Sequence, residues 1–467
     1  MRRCLPVLLF IIAAPVCASE FYIDPVAGSD AGDGSSGNAW QSLQAEFDDG
    51  LIETRDWPEY PYESGMQLVA VNPGAPVRAG DTIWLRNGYH GDIEIEHAYN
   101  TGPITVAAQP GQTPHVRSLR VQAAQNWIVR GLSISPSYAA SNDQITMVEV
   151  SDHNYFGPAW DIEVADSDVF SIDDASSWGA DQWVNLASNG IEVGAARVSI
   201  HDNRLRNVRF GIGVGGADAS IRHNLIDGFS ADGLRGLGDN GLFEYNRVQN
   251  NLIGDPDDDN HDDGFQSWTI GEDGEVGTGE VRGVTLRGNL FINATDPGNP
   301  LRSSMQGIGC FDGFFVDWVV ENNVVITDHW HGISFYGMRD SRIVNNTVID
   351  LDDGQPGPPW IMVTDHKDGT PSENVVVRNN LATDFSFEGI NITDDHNLLI
   401  DDANALFVAP PFDLHLLPAA AAIDAGSADL APLLDIDGVH RPQGAGFDLG
   451  AYERLVDSIF SNGFEGL

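Results

Sequence analysis

Lysine is almost absent from this chain. Lys367 is the only one in 467 residues, and Lys plus Arg total 24 against 69 Asp plus Glu. The formal charge of −45 leaves no basic patch, which removes nucleic acid and anionic membrane surfaces as default partners. Long apolar runs are missing as well. The only approach to one is residues 5–16, shorter than the roughly 20 residues a spanning helix needs, so no membrane span is expected. That run follows Arg2 and Arg3 and precedes Val16-Cys17-Ala18, which predicts an export signal over 1–18 cleaved before Ser19. The mature protein is then expected outside the cytoplasm of a bacterium, secreted, periplasmic or on the outer surface. Losing Arg2 and Arg3 moves the charge from −45 to −47. Cysteine is scarce too. Of three, Cys4 and Cys17 leave with the signal, so Cys310 has no partner for an internal disulfide. Stability must come from packing, with bound metal as a further source.

What the chain does contain is glycine (51 residues), abundant Asn and Asp, and a hydrophobic fraction of 42%. This composition favours an all-β chain with many turns. The turns recur. An apolar residue, two variable ones and Asn repeat at Ile200-His-Asp-Asn203, Ile221-Arg-His-Asn224, Phe243-Glu-Tyr-Asn246, Leu286-Arg-Gly-Asn289, Val320-Glu-Asn-Asn323, Ile343-Val-Asn-Asn346 and Val377-Arg-Asn-Asn380. The Asn spacings are 21, 22, 43, 34, 23 and 34, which read as rungs of 21 to 24 residues, some doubled or carrying an insertion. A second, phased pattern reads Gly190-Ile-Glu-Val, Gly211-Ile-Gly-Val, Gly233-Leu-Arg-Gly, Gly264-Phe-Gln-Ser, Gly307-Ile-Gly-Cys, Gly332-Ile-Ser-Phe and Gly389-Ile-Asn-Ile, with Trp360-Ile-Met-Val as a variant. Short strands of this kind cannot bury an inward face alone. Stacked as rungs about 4.8 Å apart, they pair in parallel and share one core. The recurrent Asn then sits at a turn where its amide reaches the Asn of the next rung. Cys310 falls on an inward position.

These Asn-turn rungs resemble the right-handed parallel β-helix proteins that include the pectate lyases. Phe21-Tyr-Ile-Asp-Pro, Gly28-Ser-Asp, Asp33-Gly and Trp40-Gln-Ser-Leu43 look like the lead-in of such enzymes. Ala79-Gly-Asp-Thr-Ile-Trp-Leu-Arg86, Gly88-Tyr89 and Gly102-Pro-Ile-Thr-Val106 are similar to their first rungs. Ile423-Asp-Ala-Gly426, Asp435-Ile-Asp-Gly, Arg441-Pro and Phe447-Asp-Leu-Gly-Ala-Tyr-Glu453 resemble a closing segment of the superfamily. The resemblance implies an all-β parallel β-helix with an N-terminal cap over 19–84, rungs over 85–400, a C-terminal cap over 401–454 and a tail over 455–467. The tail, Ile459-Phe-Ser-Asn-Gly-Phe-Glu465, resembles a sorting or anchoring segment, and a frayed end explains it equally well. A monomer is expected.

Stacking turns the repeat into a map. The outward row reads Glu192, Gly213, Arg235, Gln266, Gly309, Ser334, Met362 and Asn391. The residue before each glycine reads Asn189, Phe210, Asp232, Asp263, Gln306 and His331, then Glu388. Polar and ionisable groups gather in the middle rungs. Just before them lies Asp255-Pro-Asp-Asp-Asp-Asn-His-Asp-Asp263, six acids in nine residues. Such a cluster cannot stay ionised and close without a cation, for which calcium is the natural choice, although a solvated acidic loop would read the same. The family resemblance implies metal ligands at Asp232, Asp262 and Asp263, and the acidic loop adds Asp259 as a candidate. It also exposes departures, with Gln266 where a further Asp is expected and Gly309 where the catalytic lysine would project. His331, Arg235 and His261 are the substitute candidates for acid–base work, with Gln266, Gln306, His329 and Trp330 for substrate binding. Calcium-assisted β-elimination on a uronic-acid polysaccharide is the first expectation. Paired-carboxylate hydrolysis of the polygalacturonase type, resembled by Asp232, Asp262-Asp263 and His331-Gly-Ile-Ser334, is the second. An epimerase is a lesser option. Glycan binding without catalysis, through Trp268, Trp318, Trp330 or Tyr336, is another, although Trp318 reads as a core residue.

Overall fold

The computed structural model describes residues 18–455, apart from 142, 254–260, 353 and 355. Positions 1–17 of the expected export signal, the tail beyond 455, and Asp259 with most of its acidic loop lie outside the described residues.

Each rung gives one short strand to each of three parallel ribbons. The first ribbon stacks Asn189–Val193, Ile212–Val214, Leu234–Gly236, Asp263–Trp268, Gln306–Asp312, His331–Tyr336, Trp360–Thr364 and Asp384–Phe387. The second runs from Ala196–His201 through Ser220–Arg222 and Leu242–Glu244 to Val376–Arg378. The third runs from Arg204–Val208 through Leu225–Phe229 and Arg247–Asn251 to Leu398–Leu399. This is the parallel β-helix expected from the repeat.

The register explains the sequence pattern. Ile191, Ile212, Leu234, Phe265, Ile308, Ile333 and Ile361 align and point inward, all at 0–1% exposure. Cys310 and Trp318 join this core, and the Trp318 indole donates to the Val281 carbonyl at 2.9 Å. The ladder of turn asparagines is present and continuous. Asn203, Asn224, Asn246, Asn289, Asn323, Asn346 and Asn380 each donate from Nδ2 to the Oδ1 of the next, at 2.9–3.1 Å, ending on Asn397. The residue before each of these asparagines takes the left-handed conformation, from Asp202 (φ 56°) to His396 (φ 53°). Even Tyr245 does so (φ 54°), its ring stacked on that of His223. Left-handed backbone is unfavourable for most side chains, so the amide ladder must hold the turns there.

One strand differs from the sequence map. Gly389-Ile-Asn-Ile is not a copy of the first-ribbon strand. Phe385 and Phe387 supply the apolar residues instead, and Ser386 rather than Asn391 pairs with Met362. Gly389 and Asn391 both have positive φ, 139° and 56°, and shape the following turn. Glu388 accordingly follows the strand rather than preceding a glycine.

The two ends are built differently. At the N-terminus, Trp40, Leu43 and Ile52 join the core, and Phe21 stacks on Trp40. The helix Leu43–Asp48, N-capped by Ser42, buries Glu46 at 1% exposure with neither carboxylate oxygen partnered. Burial, with Asp30 and Asp49 nearby, pushes the Glu46 carboxyl up to about 7. The C-terminal segment runs along the outside of the third ribbon. Its Leu406, Phe407, Leu414, Leu416 and Leu449 pack on Ile292, Ile326 and Ile349. Arg441 and Glu453 form a fully buried pair at 3.0 Å, and Arg441 also donates to the Gly450 carbonyl. Asn322 and Asn345, beside the ladder, donate to Leu434 and Asp448 carbonyls and fasten the segment down.

Candidate active site

The bend that opens each first-ribbon strand explains why glycine recurs there. A Cβ at Gly233, Gly264, Gly307 or Gly332 would strike Val248, Phe291, Val325 or Val348, side chains of the third ribbon that point into the core. The residue before the glycine is thereby brought beside the outward residue three positions later. Three rungs use this geometry for a polar pair. Arg235 Nε donates to Asp232 Oδ2 at 2.5 Å. Gln266 Nε2 donates to Asp263 Oδ2 at 3.1 Å, and His331 Nδ1 lies 2.9 Å from Ser334 Oγ.

The fourth rung, between the last two, has Gln306 and Gly309 at these positions. Its glycine makes room for the neighbour. A Cβ at Gly309 would collide with Asp263 Oδ1, so that oxygen stands over the outward side of the Gly309 rung. Among the described residues, Asp263 Oδ1 has no hydrogen-bond partner, and neither does Oε1 of Gln306, its register partner. Both residues are buried, at 0% and 6% exposure.

The charges are arranged to differ. Asp232 accepts from Arg235 on one oxygen and from the Asp263 backbone N–H on the other, at 3.0 Å. Burial raises its carboxyl above the ordinary range, while Arg235 and that N–H oppose the rise. Asp263 lacks a cationic partner of its own. Burial, with Asp232 and Asp262 beside it, holds its carboxyl well above the usual range. Of the two, Asp263 is the one whose surroundings favour the proton more, because Arg235 offsets the rise at Asp232.

His329 and His331 are both pushed down to about 4, mainly by burial and further by neighbouring histidines including His261. Their rings lie 5.4 Å apart. His329 Nδ1 accepts from the His331 backbone N–H at 3.1 Å, and His331 Nδ1 accepts from the Trp360 indole at 3.3 Å. The neutral His329 ring therefore carries its proton on Nε2, while His331 shares the Trp360 indole with Ser334 Oγ, to which that indole donates at 3.1 Å. Arg235, paired with Asp232 and lying 4.0 Å over the Phe210 ring, likewise supplies charge and donors. His261 is exposed and faces Phe311 at 6.3 Å. Trp330 is 45% exposed beside His329. Lys367 is held by Asp312 at 2.7 Å, outside the cluster.

The structure thus brings together Asp232, Asp262, Asp263, Arg235, Gln266, Gln306, His261, His329 and His331 on four adjacent rungs. Trp360, Phe311 and Phe210 complete the site and were not singled out in the sequence. Their register positions on the first ribbon were the available signal. Of the expected calcium ligands, Asp232 has both oxygens engaged, one of them by Arg235, while Asp263 keeps one oxygen without a partner among the described residues, and Asp259 lies outside them. Among the described residues no group of three or more His, Cys, Asp or Glu is arranged to hold a metal ion.

Residues 188–357 match the family model described as a right handed beta helix region. No curated protein matches the chain. Among solved structures, XylC in complex with xylose is similar at 9% identity, over 78% of this chain and 75% of that one, with a TM-score of 0.48. A pectate lyase is similar at 15% identity over 94% and 98%, with a TM-score of 0.38. A lacto-N-biosidase from Eubacterium ramulus is similar at 13% identity over 80% and 68%, with a TM-score of 0.42. None of these likenesses bears on the reaction. The stacked rungs and the family match together make this chain a right-handed parallel β-helix.

Proposed function

We propose that the chain is a polysaccharide-active enzyme that hydrolyses a glycosidic bond over the first ribbon, with Asp263 as the general acid. The observation that carries this reading is the Asp263 Oδ1, without a partner among the described residues and standing over Gly309, on a carboxyl that burial and its acidic neighbours push well above the usual range. Glycosidic cleavage needs a proton delivered to the leaving oxygen and an ionised carboxylate nearby to take one from water. Asp262, on the acid's own rung, is the carboxylate offered for the second transfer, while Asp232 has both oxygens engaged, by Arg235 and the Asp263 backbone N–H, and supplies charge beside the acid. Its charge also stabilises the positive charge that develops on the sugar ring. His329 donates from Nε2 to a sugar hydroxyl, and exposed Trp330 offers a stacking face.

Elimination on a uronic-acid chain is the second reading. Arg235 is the feature in its favour, a cation standing where calcium was expected, but it is held by Asp232. Among the described residues the base for elimination would be the exposed His261, since Gly309 occupies the lysine position and the partly buried His329 and His331 have Nδ1 engaged.

The deciding experiment measures new reducing ends and unsaturated, ultraviolet-absorbing products across a panel of polysaccharides, with and without chelator. Hydrolysis predicts reducing ends without unsaturation, unchanged by chelation, and lost in Asp263→Asn. Unsaturated products abolished by chelator would replace this reading with calcium-assisted elimination. No product from any polymer would leave glycan binding without catalysis.

A further inference from the structure

We infer that the groove along the first ribbon is built for an uncharged polysaccharide and discriminates against uronic-acid chains; this rests on the reading that the first ribbon is the glycan site. The outward row extends well beyond the acid pair. It continues in register toward the N-terminus from Glu192 to Glu149, Arg120 and Glu94. Four rungs therefore present three carboxylates and one guanidinium to any chain lying along the helix axis.

Both cations on the row are already committed. Arg120 lies 3.3 Å from Glu94, 3.3 Å from Glu96 and 3.7 Å from Glu149. Arg235 is bound to buried Asp232 at 2.5 Å. A uronate would have to draw one of them from its partner, stranding a carboxylate, or lie unneutralised beside Glu149 and Glu192. Glu192 leans over Gly213, the next rung, where a Cβ would collide with its carboxylate, so the negative charge reaches the edge of the acid pair. The formal charge of −45 adds a repulsive field at long range.

The unpartnered oxygens point the same way. Gln306 Oε1 is an amide acceptor that needs a donor, whereas protonated Asp263 needs an acceptor. A sugar hydroxyl and the glycosidic oxygen supply one of each.

The test is affinity electrophoresis of the full chain through gels containing xylan, galactan or mixed-linkage glucan, and through gels containing polygalacturonate or alginate, at low and high salt. At least one neutral polymer should retard the protein. Uronate polymers should bind at least about tenfold more weakly at low salt, the gap narrowing as salt screens the repulsion. Glu149→Lys with Glu192→Lys should strengthen polygalacturonate binding at least about fivefold. Glu192→Lys alone, which spares the Arg120 ion pairs, repeats this arm if the double variant misfolds. The inference is overturned if uronate polymers bind the wild-type chain as tightly as neutral ones and salt weakens them, or if deacetylated chitosan outcompetes every neutral polymer. It is also overturned if no neutral polymer is retained. Retention without new reducing ends would sink hydrolysis and leave this inference standing. Reducing ends released from uronate polymers alone would do the reverse.

Discussion

Along the third ribbon, outward Ile292, Ile326 and Ile349 are at most 3% exposed because the C-terminal segment lies over them. Along the first ribbon, the equivalent outward residues Glu192, Arg235 and Gln266 are all partly exposed, and the row closes over only further on, at Ser334 and Met362. The backbone format is the same in both: short parallel strands with inward apolar residues. What differs is whether anything covers the outside. A ribbon buried on both faces reads as a continuous apolar run, such as Val324-Val-Ile326, whereas an uncovered ribbon alternates and is free to carry chemistry. In a rung solenoid the outer face, more than the strand itself, separates scaffold from site.

The largest expected effect breaks the covered face. Ile326→Asp should destabilise the protein by about 4 kcal/mol, because the new carboxylate loses water without gaining a partner. The same charge on the uncovered face, Ser386→Asp, should cost within about 0.5 kcal/mol, and urea titration of the two variants checks the contrast. Within the open face, Asp263→Asn should lower kcat by about 10²-fold or more while urea stability stays near wild type or rises. Gly309→Ala sharpens the point, since its methyl must displace the Asp263 carboxyl. Activity should fall about tenfold or more, and the circular dichroism should match wild type. A smaller effect is expected at the N-terminal end. The raised folded-state value of Glu46 means that its contribution to stability is fully present below its ordinary value near 4.5 and is lost as pH rises through about 7. Glu46→Gln should therefore raise the melting temperature at pH 8, by an amount on the order of 2 kcal/mol in stability, and change little at pH 4. A melting curve of the variant that falls between those pH values as steeply as wild type would discard this assignment.

Much of this was legible in the sequence because the repeat is physical. Asn at each turn and glycine at each bend answer to a fixed backbone geometry, so their spacing gave the rungs, the inward row and the outward row from Glu192 to Met362. The map failed at Gly389, where the same letters serve a turn, because local pattern cannot say which of two apolar alternations, Phe385 and Phe387 or Ile390 and Ile392, forms the first-ribbon strand. Within the site, Asp232, Asp263 and His331 were legible as positions. Their roles were not, since these depend on contacts between rungs: Arg235 holding Asp232, the space above Gly309, and Trp360 donating to His331. The covering of the third ribbon by the C-terminal segment was hidden for the same reason.

The amide ladder has a consequence for how the molecule comes apart. It begins at Asn203 and ends at Asn397, so the rungs before residue 196 stack without it. A linear array melts by moving fronts, and a front slows where each step must break several coupled bonds at once. Heating or pulling should therefore peel the N-terminal rungs first and stall at the seam near Asn203. Amide exchange would then divide the chain into an early-opening block and a late one, with the acid pair sheltered inside the block that yields last.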